Sequence, residues 1–358
     1  MPTDSRTQKL AKLLVNYSVF AKPNENVIIS GSSEAEELLA AVYKEVIFAG
    51  AHPVMKMSPK GLNYFFYKHA KKHQIEKYPD ITEMMINKSH KYIGVGSESN
   101  TKELSNCDPE KITARAKVTK KITDLVCNNQ PNMFRVSTSY PTEALAQDAE
   151  MSLTEYENFF YNACFVDWKK LSRLMEKILS NFKINSSVHL IGENVDLKMK
   201  VHGDSAKMDD GKENMPGGEI FMAPFRESLN GWIKFDFPAV RDGKEVLDVF
   251  LRFENGKVIE SKASKNEDFL KAMLSTDTNA SYVGELGIGC NPNVNRFSKD
   301  LLFDEKIGGT IHLALGSAYK DNGGGNDSAI HWDIVKDMHK SKIIVDGKVI
   351  QENGKWKL

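Results

Sequence analysis

The sequence predicts two architectures in one chain: an α/β N-terminal domain with a mainly parallel sheet, then an α+β, β-rich domain. Three observations lead there. The 358 residues exceed what one hydrophobic core usually fills. In the first half, short apolar runs alternate with helical stripes, the pattern of a parallel sheet covered by helices. After about Asn185, short alternating segments are separated by Asp-Gly, Asn-Gly and Gly-Gly turns, which is how antiparallel strands read. The boundary therefore falls between residues 185 and 186.

Taken in order, Leu10, Leu13, Leu14 and Tyr17 recur at helical spacing, and Pro23 closes that segment. Val27-Ile28-Ile29 reads as a short buried strand. Ser33 and Glu36 have the spacing of a capping box, and the helix they would start carries Ala35, Leu38, Leu39, Val42 and Val46 on one stripe. Strand-like runs follow at Pro53 to Met57, Tyr92 to Gly96 and Phe134 to Thr138, between helical segments near 61–72, 109–128 and 142–150. The turn SGSSEAEE has neither GxGxxG nor GxxxxGK, so it reads as a plain strand-to-helix turn rather than a phosphate loop. The cluster Lys68, His69, Lys71, Lys72 and His73 reads as a solvated helix face. Ser152, with Glu155 as its capping-box partner, starts a helix to about Ala163, and Trp168, Leu171, Met175, Ile178 and Phe182 mark another. These two are expected to link the domains. Beyond them, strands are expected near 188–191, 196–201, 231–237, 246–253 and 257–262.

Lysine plus arginine equals aspartate plus glutamate at 48 each, so net charge favours neither nucleic acid nor an anionic membrane as partner. Cys107, Cys127, Cys164 and Cys290 are widely spaced and form no CxxC, the usage of reduced thiols. Residues 1–22 lack a signal peptide's apolar core, and no later run is long enough to span a bilayer. A cytoplasmic location is the expectation.

The chemistry concentrates between Asp304 and Asp333, in DEKIGGTIHLALGSAYKDNGGGNDSAIHWD. From Thr310 to Leu315 the alternation puts Thr310, His312 and Ala314 on one face, and Ile311, Leu313 and Leu315 on the other. From Ala329 to Ile334 it puts His331 and Asp333 together, against Ile330, Trp332 and Ile334. Nitrogen and oxygen donors aimed at one point suit zinc, cobalt or manganese. Glu219 opens a strand after ENMPGG, and Glu285 shares a strand face with Gly287 and Gly289, which would leave room for a metal or a substrate backbone. A carboxylate in so apolar a strand asks for a cation nearby. Each signal alone is ordinary: a strand histidine is more often a satisfied core or surface residue, and GxGxCN at 287–291 opens no helix. Together, Glu219, Glu285, His312, Tyr319, His331 and Asp333 exceed what one structural zinc needs and match a dinuclear site with a bridging carboxylate. Tyr319 and the glycines from 323 to 325 read as a flexible turn that returns one ligand over the metals.

The blocks ENMPGGEIFMAP, VGELGIGCNPNVN and the 304–333 stretch resemble those of the M29 metalloaminopeptidases, the family of aminopeptidases T and S. YSVFAKPNENVIIS and AEMSLTEYENFFYNAC extend the likeness into the first half. The resemblance implies two divalent ions per subunit, zinc or cobalt before manganese or magnesium, held by residues matching Glu219, Glu285, His312, Tyr319, His331 and Asp333. It also implies a homodimer. Where relatives carry a Gly-Arg followed by an aromatic residue, this chain has HGDSAKMDDGKENMP, so no side-chain preference carries over.

The expected activity is a metal-dependent aminopeptidase, a hydrolase that cleaves the N-terminal bond of peptides with a free N-terminus through a dinuclear-metal-activated water. Glu219 or Glu285 would shuttle the proton, and Tyr319 would be a ligand or an oxyanion donor. Residues 186–358 would form the catalytic metal-binding domain; residues 1–185 would supply cleft walls and dimer contacts. The alternatives on the same fold are a non-catalytic metal- or peptide-binding protein and a hydrolase of non-peptide amides.

Overall fold

The computed structural model describes residues 4–127, 133–241, 243–319 and 322–358. Four residues inside expected features lie outside the described ones: Asn128 at the end of the 109–128 helix, Asp242 of an Asp-Gly turn, and Lys320 and Asp321 of the 304–333 stretch. The chain falls into two compact units, Met1–Phe165 with Gly211–Met215, and Val166–Asp210 with Pro216–Leu358.

The first unit is built on a parallel sheet in which His52–Ser58, Asn26–Ser32, Lys91–Gly96, Phe134–Ser139 and Asn214–Met215 lie side by side in that order. The strands are where the apolar runs placed them. Val27, Ile29, Ile93 and Val136 are fully buried, as are Leu38, Val42 and Val46 of the helix Glu36–Phe48. The expected Ser33/Glu36 capping box does not form. Ser32 caps instead, accepting from the Glu34 amide, and a single 3-10 turn over Ser33–Ala35 precedes the helix. Ser32 is one residue nearer the strand, and its hydroxyl also meets Ser97 Oγ at 2.7 Å, which holds it at the strand end. The Ser152/Glu155 box forms with both of its hydrogen bonds, starting the helix Leu153–Cys164. A helix at Asp80–Asn87 has no counterpart in the sequence reading; it is short and buries only Ile86 fully, too little to show as a stripe.

In the second unit, Asp167 caps the helix Trp168–Leu179 by accepting from the Lys170 amide. An eight-stranded antiparallel sheet contains Ile184–Gly192, Val195–His202, Asn230–Lys234, Phe250–Glu254 and Lys257–Lys262, with three C-terminal strands from Ser341 to Trp356 on its other side.

A separate five-stranded antiparallel sheet carries the candidate site: β1 (Lys207–Asp209), β2 (Glu219–Met222), β3 (Val283–Gly289), β4 (Thr310–Gly316) and β5 (His331–Asp337), ordered β5-β4-β3-β2-β1. Residues paired across an antiparallel ladder share a face. Met222, Leu286, Leu313 and Ile334 therefore line one face, beside Ile220, Ile288 and Ile311. On the other face lie Asp209, Glu219, Glu285, His312, His331 and Asp333. Among the described residues, no helix is long and apolar enough to cross a membrane.

Candidate metal centre

The register sets the geometry. Glu285 on β3, Ala314 on β4 and Asp333 on β5 are cross-strand partners in one row. Gly287, His312 and Val335 form the next row, and Gly289 pairs with Glu219. Small residues at Gly287 and Ala314 let the long side chains fold over the sheet. A Cβ at Gly287 would collide with the His312 imidazole. The glycines expected to leave room for a metal thus have a different use: Gly287 seats the His312 ring, and the space above Gly289 is filled by the Ile307 carbonyl.

Glu219, Glu285, His312 and Asp333 are all at least 94% buried. His312 Nε2 lies 3.4 Å from Glu285 Oε1, 3.8 Å from Glu219 Oε2 and 4.0 Å from Asp333 Oδ1. His331 Nε2 lies 3.4 Å from Asp333 Oδ2. The His331 Nδ1–H donates to the Ser317 carbonyl at 2.8 Å, which leaves Nε2 to face the cluster, the arrangement that orients metal-ligating imidazoles. Tyr319 stands at the rim, half-exposed, its ring 5.1 Å from that of His331 and 6.3 Å from that of Phe221. The sheet thus brings five of the six expected residues into one cluster and sets the sixth beside it. The loop after β4 is pinned at its base: the Ser317 amide donates to the Ile330 carbonyl, the Ala318 amide to that of Asn326, and Asn326 Nδ2 to those of Gly316 and Asn279. Gly323 packs on His202.

The electrostatics ask for a cation. Burial and the neighbouring Asp333 push the Glu285 carboxyl up, against the pull of His312. Burial opposes a charge on His312, but Glu285, Glu305, Asp333 and Glu219 outweigh it and raise the imidazole to about 9. His331 is likewise raised to about 10, mainly by Asp333, against its burial. Despite its burial, Asp333 is held well below the usual carboxylate range by His331 and His312. Burial, then the carboxylates of Glu285 and Asp333, push the Tyr319 phenol up. Even so, Glu285 Oε2, Asp333 Oδ1 and His312 Nδ1 are buried with no hydrogen-bond partner among the described residues. Two unpartnered carboxylate oxygens in a dry site are costly, and a divalent ion satisfies both. One ligand atom from each of Glu285, His312 and Asp333 falls within 4.8 Å of the others. These three fit a metal.

Two residues of the site were missed in the sequence. Lys306 is 1% exposed, and its ammonium contacts Glu219 Oε1 at 2.9 Å and Glu305 Oε2 at 2.6 Å. Burial opposes that charge, but Glu219, Glu305 and Asp209 raise Lys306 well above its ordinary value. Burial pushes the Glu305 carboxyl up to about 8, against Lys306. Both residues sit in DEKIGG, just before β4, where a buried Asp304 accepts from the amide and hydroxyl of Ser298 and anchors the turn. The signal available was a lysine flanked by two acids at the mouth of an apolar strand; nothing in its spacing says that it turns inward.

The family model described as thermophilic metalloprotease (M29) matches residues 3–356. Aminopeptidase AmpS of Bacillus subtilis is 31% identical over 203 residues, 48% of this chain and 49% of its own length. Aminopeptidase T of Thermus thermophilus is 32% identical over 166 residues, 40% of each chain. The matched stretches thus span half or less of those two relatives. Aminopeptidase 2 of Geobacillus stearothermophilus is 23% identical, covering 99% of this chain and 98% of its own. Among solved structures, wild-type AmpT from Thermus thermophilus superposes with a TM-score of 0.84 at 22% identity, over 99% of both chains. A 2,5-dihydroxypyridine dioxygenase from Pseudomonas putida KT2440 follows at 0.61 and 12% identity, over 98% of this chain and 96% of that one. Both structural likenesses speak for the fold alone.

Proposed function

The chain belongs to the M29 family of thermophilic metalloproteases, and from that premise we propose that it is a metal-dependent aminopeptidase acting on peptides with a free N-terminus. The observation that carries the reading is the buried trio Glu285, His312 and Asp333 with its unpartnered carboxylate oxygens, inside a chain of this family. Glu285, His312 and Asp333 would hold one divalent ion. His331, Tyr319 and Glu219 are the donors on which the second ion expected from the sequence would draw. Bound there, such ions lower the pKa of water and polarise a carbonyl.

The chain's own residues supply the rest. Glu219, one oxygen of which Lys306 holds, or Glu285, whose carboxyl is raised, would accept the proton of the attacking water and pass it to the departing amine. As the alternative to ligation, the Tyr319 phenol would donate a hydrogen bond to the carbonyl oxygen as negative charge develops there. The apolar face below, with Leu286, Leu313 and Ile334, holds the donors' strands rigid. The same reading assigns catalysis to residues 186–358, and cleft walls and dimer contacts to residues 1–185. The protein would work as a cytoplasmic homodimer.

The test is release of chromogenic amine from leucyl and arginyl anilides, before and after chelation and after readdition of zinc or cobalt. Activity lost to chelator and restored by either ion is the expected result. If no aminoacyl amide is cleaved under any metal condition while metal still binds, the protein is a binding module.

A further inference from the structure

His331 owes its direction to one carbonyl. Its Nδ1–H donates to the Ser317 carbonyl at 2.8 Å, and because a carbonyl only accepts, the free lone pair is left on Nε2, which faces Asp333 at 3.4 Å. Ser317 follows β4 and His331 opens β5, so whatever fixes Ser317 also fixes the imidazole. The Ser317 oxygen packs against Gly284 of β3, where a Cβ would strike it, and the Ser317 amide donates to the Ile330 carbonyl at 2.6 Å.

Two side chains outside the six expected donors hold this arrangement together. Asn326 is 4% exposed, and its Nδ2 donates to the Gly316 carbonyl at 2.5 Å and to the Asn279 carbonyl at 3.0 Å. Its own carbonyl accepts from the Ala318 amide at 2.8 Å, so Asn326 grips the chain on both sides of Ser317. Asp277 does the same for the approach to β5. One of its oxygens accepts from the Ala329 amide at 2.8 Å and from the Ser328 hydroxyl at 2.9 Å, and the other accepts from the Asn279 amide at 2.8 Å. The clasp closes through Asn279, whose Nδ2 donates to the Asp327 carbonyl at 2.7 Å.

Resting on the metal-dependent reading above, we propose that Asn326 and Asp277 are positioning residues for His331. They hold the Ser317 carbonyl where it selects the His331 tautomer and aims Nε2 at the metal centre. Loosening that carbonyl frees the ring to turn, or to carry its proton on Nε2, and either change removes the lone pair a metal would use. Glu285, His312 and Asp333 are seated by the ladder of β3, β4 and β5 itself, so the effect is confined to the ion that draws on His331.

Zinc affinity of the full chain, measured by competition with a chromogenic chelator, reads this without turnover. His331→Ala identifies the zinc that depends on the ring. Asn326→Leu, which keeps the bulk and deletes the donor, should weaken that same zinc roughly 10–100-fold. Asp277→Asn should do so by a smaller factor. The double variant discriminates. If Asn326 acts through His331, Asn326→Leu combined with His331→Ala should bind zinc no more weakly than His331→Ala alone, whereas losses that add would leave Asn326 with a structural role only. Additive losses, wild-type zinc affinity in Asn326→Leu, or wild-type zinc affinity in His331→Ala each overturn the inference and leave the metal-dependent reading standing. A wild-type chain that binds no zinc overturns both. Should Asn326→Leu fail to fold, Asp277→Asn in the same cycle with His331→Ala decides.

Discussion

Among the described residues two sheets have five strands each, and they bury opposite chemistry. The parallel sheet of the first unit encloses Val27, Ile29, Ile93 and Val136, and its buried polar residues include Lys91, Thr138 and Ser139 toward the strand ends. The antiparallel site sheet has an equally apolar lower face, but its upper face buries Glu219, Glu285, His312 and Asp333. In a parallel sheet covered by helices both faces are core, so a carboxylate has nowhere to go. An antiparallel sheet can give up one face to function, because the other suffices to hold it. Stability and chemistry are thus separable here, and substitutions in the two sheets should behave differently.

The sharpest test of that separation is Glu285→Gln. If this carboxylate moves the proton, turnover should fall roughly 10²–10⁴-fold, with far-ultraviolet circular dichroism unchanged. Near-normal activity in a metal-loaded Glu285→Gln protein would remove Glu285 from the chemistry. The counterpart in the parallel sheet is Ile29→Ala. Deleting this fully buried side chain should cost about 2–5 kcal/mol of stability in a denaturant titration. Metal content per folded molecule should not change. If Ile29→Ala also lost metal, the two sheets would not be separable.

A third contrast lies in pH. Without metal, His312 and His331 hold protons up to about 9 and about 10, against about 6.5 in an unfolded chain. Between about 6.5 and these values the folded chain binds more protons than the unfolded one, so its stability falls as pH rises across that window. The raised carboxyls of Glu285 and Glu305 act in the same direction at lower pH. A divalent ion replaces those protons, so metal uptake should release acid and tighten as pH rises. Melting curves in chelator should drop from near-neutral pH toward pH 10, and added zinc should flatten that slope. A chelated protein whose melting temperature rises with pH would contradict the buried cluster.

Much of this was legible in the sequence, for identifiable reasons. A period of two fixes which side chains share a face whatever their partners, so His312 with Ala314, His331 with Asp333 and Glu285 with Gly287 could be assigned before any register was known. Apolar runs likewise marked the central parallel strands, where Val27, Ile29, Ile93 and Val136 are fully buried. What sequence could not supply was the inward turn of Lys306. A lysine next to two acids in DEKIGG has the look of a solvated charge pair, and only the packing of that turn against β2 and β4 shows that it is buried. Gly287 was misread for a related reason. The sequence showed an open position beside a carboxylate; that the ring of His312 fills it depends on pairing between β3 and β4, residues far apart in the chain.

The smallest expected effects test the same distinction at helix starts in the first unit, where local rules should hold unless packing intervenes. Ser152 and Glu155 complete their capping box, so Ser152→Ala should cost about 1 kcal/mol. Ser33 has the same spacing to Glu36 but caps nothing, because Ser32 holds the turn through the Glu34 amide and Ser97. Ser33→Ala should therefore stay within about 0.5 kcal/mol of wild type, while Ser32→Ala should resemble Ser152→Ala. Both comparisons can be read in one urea series from shifts in midpoint at constant slope. A larger loss at Ser33 than at Ser32 would return the cap to the residue that the sequence motif names, and would show that the strand end does not set where this helix begins.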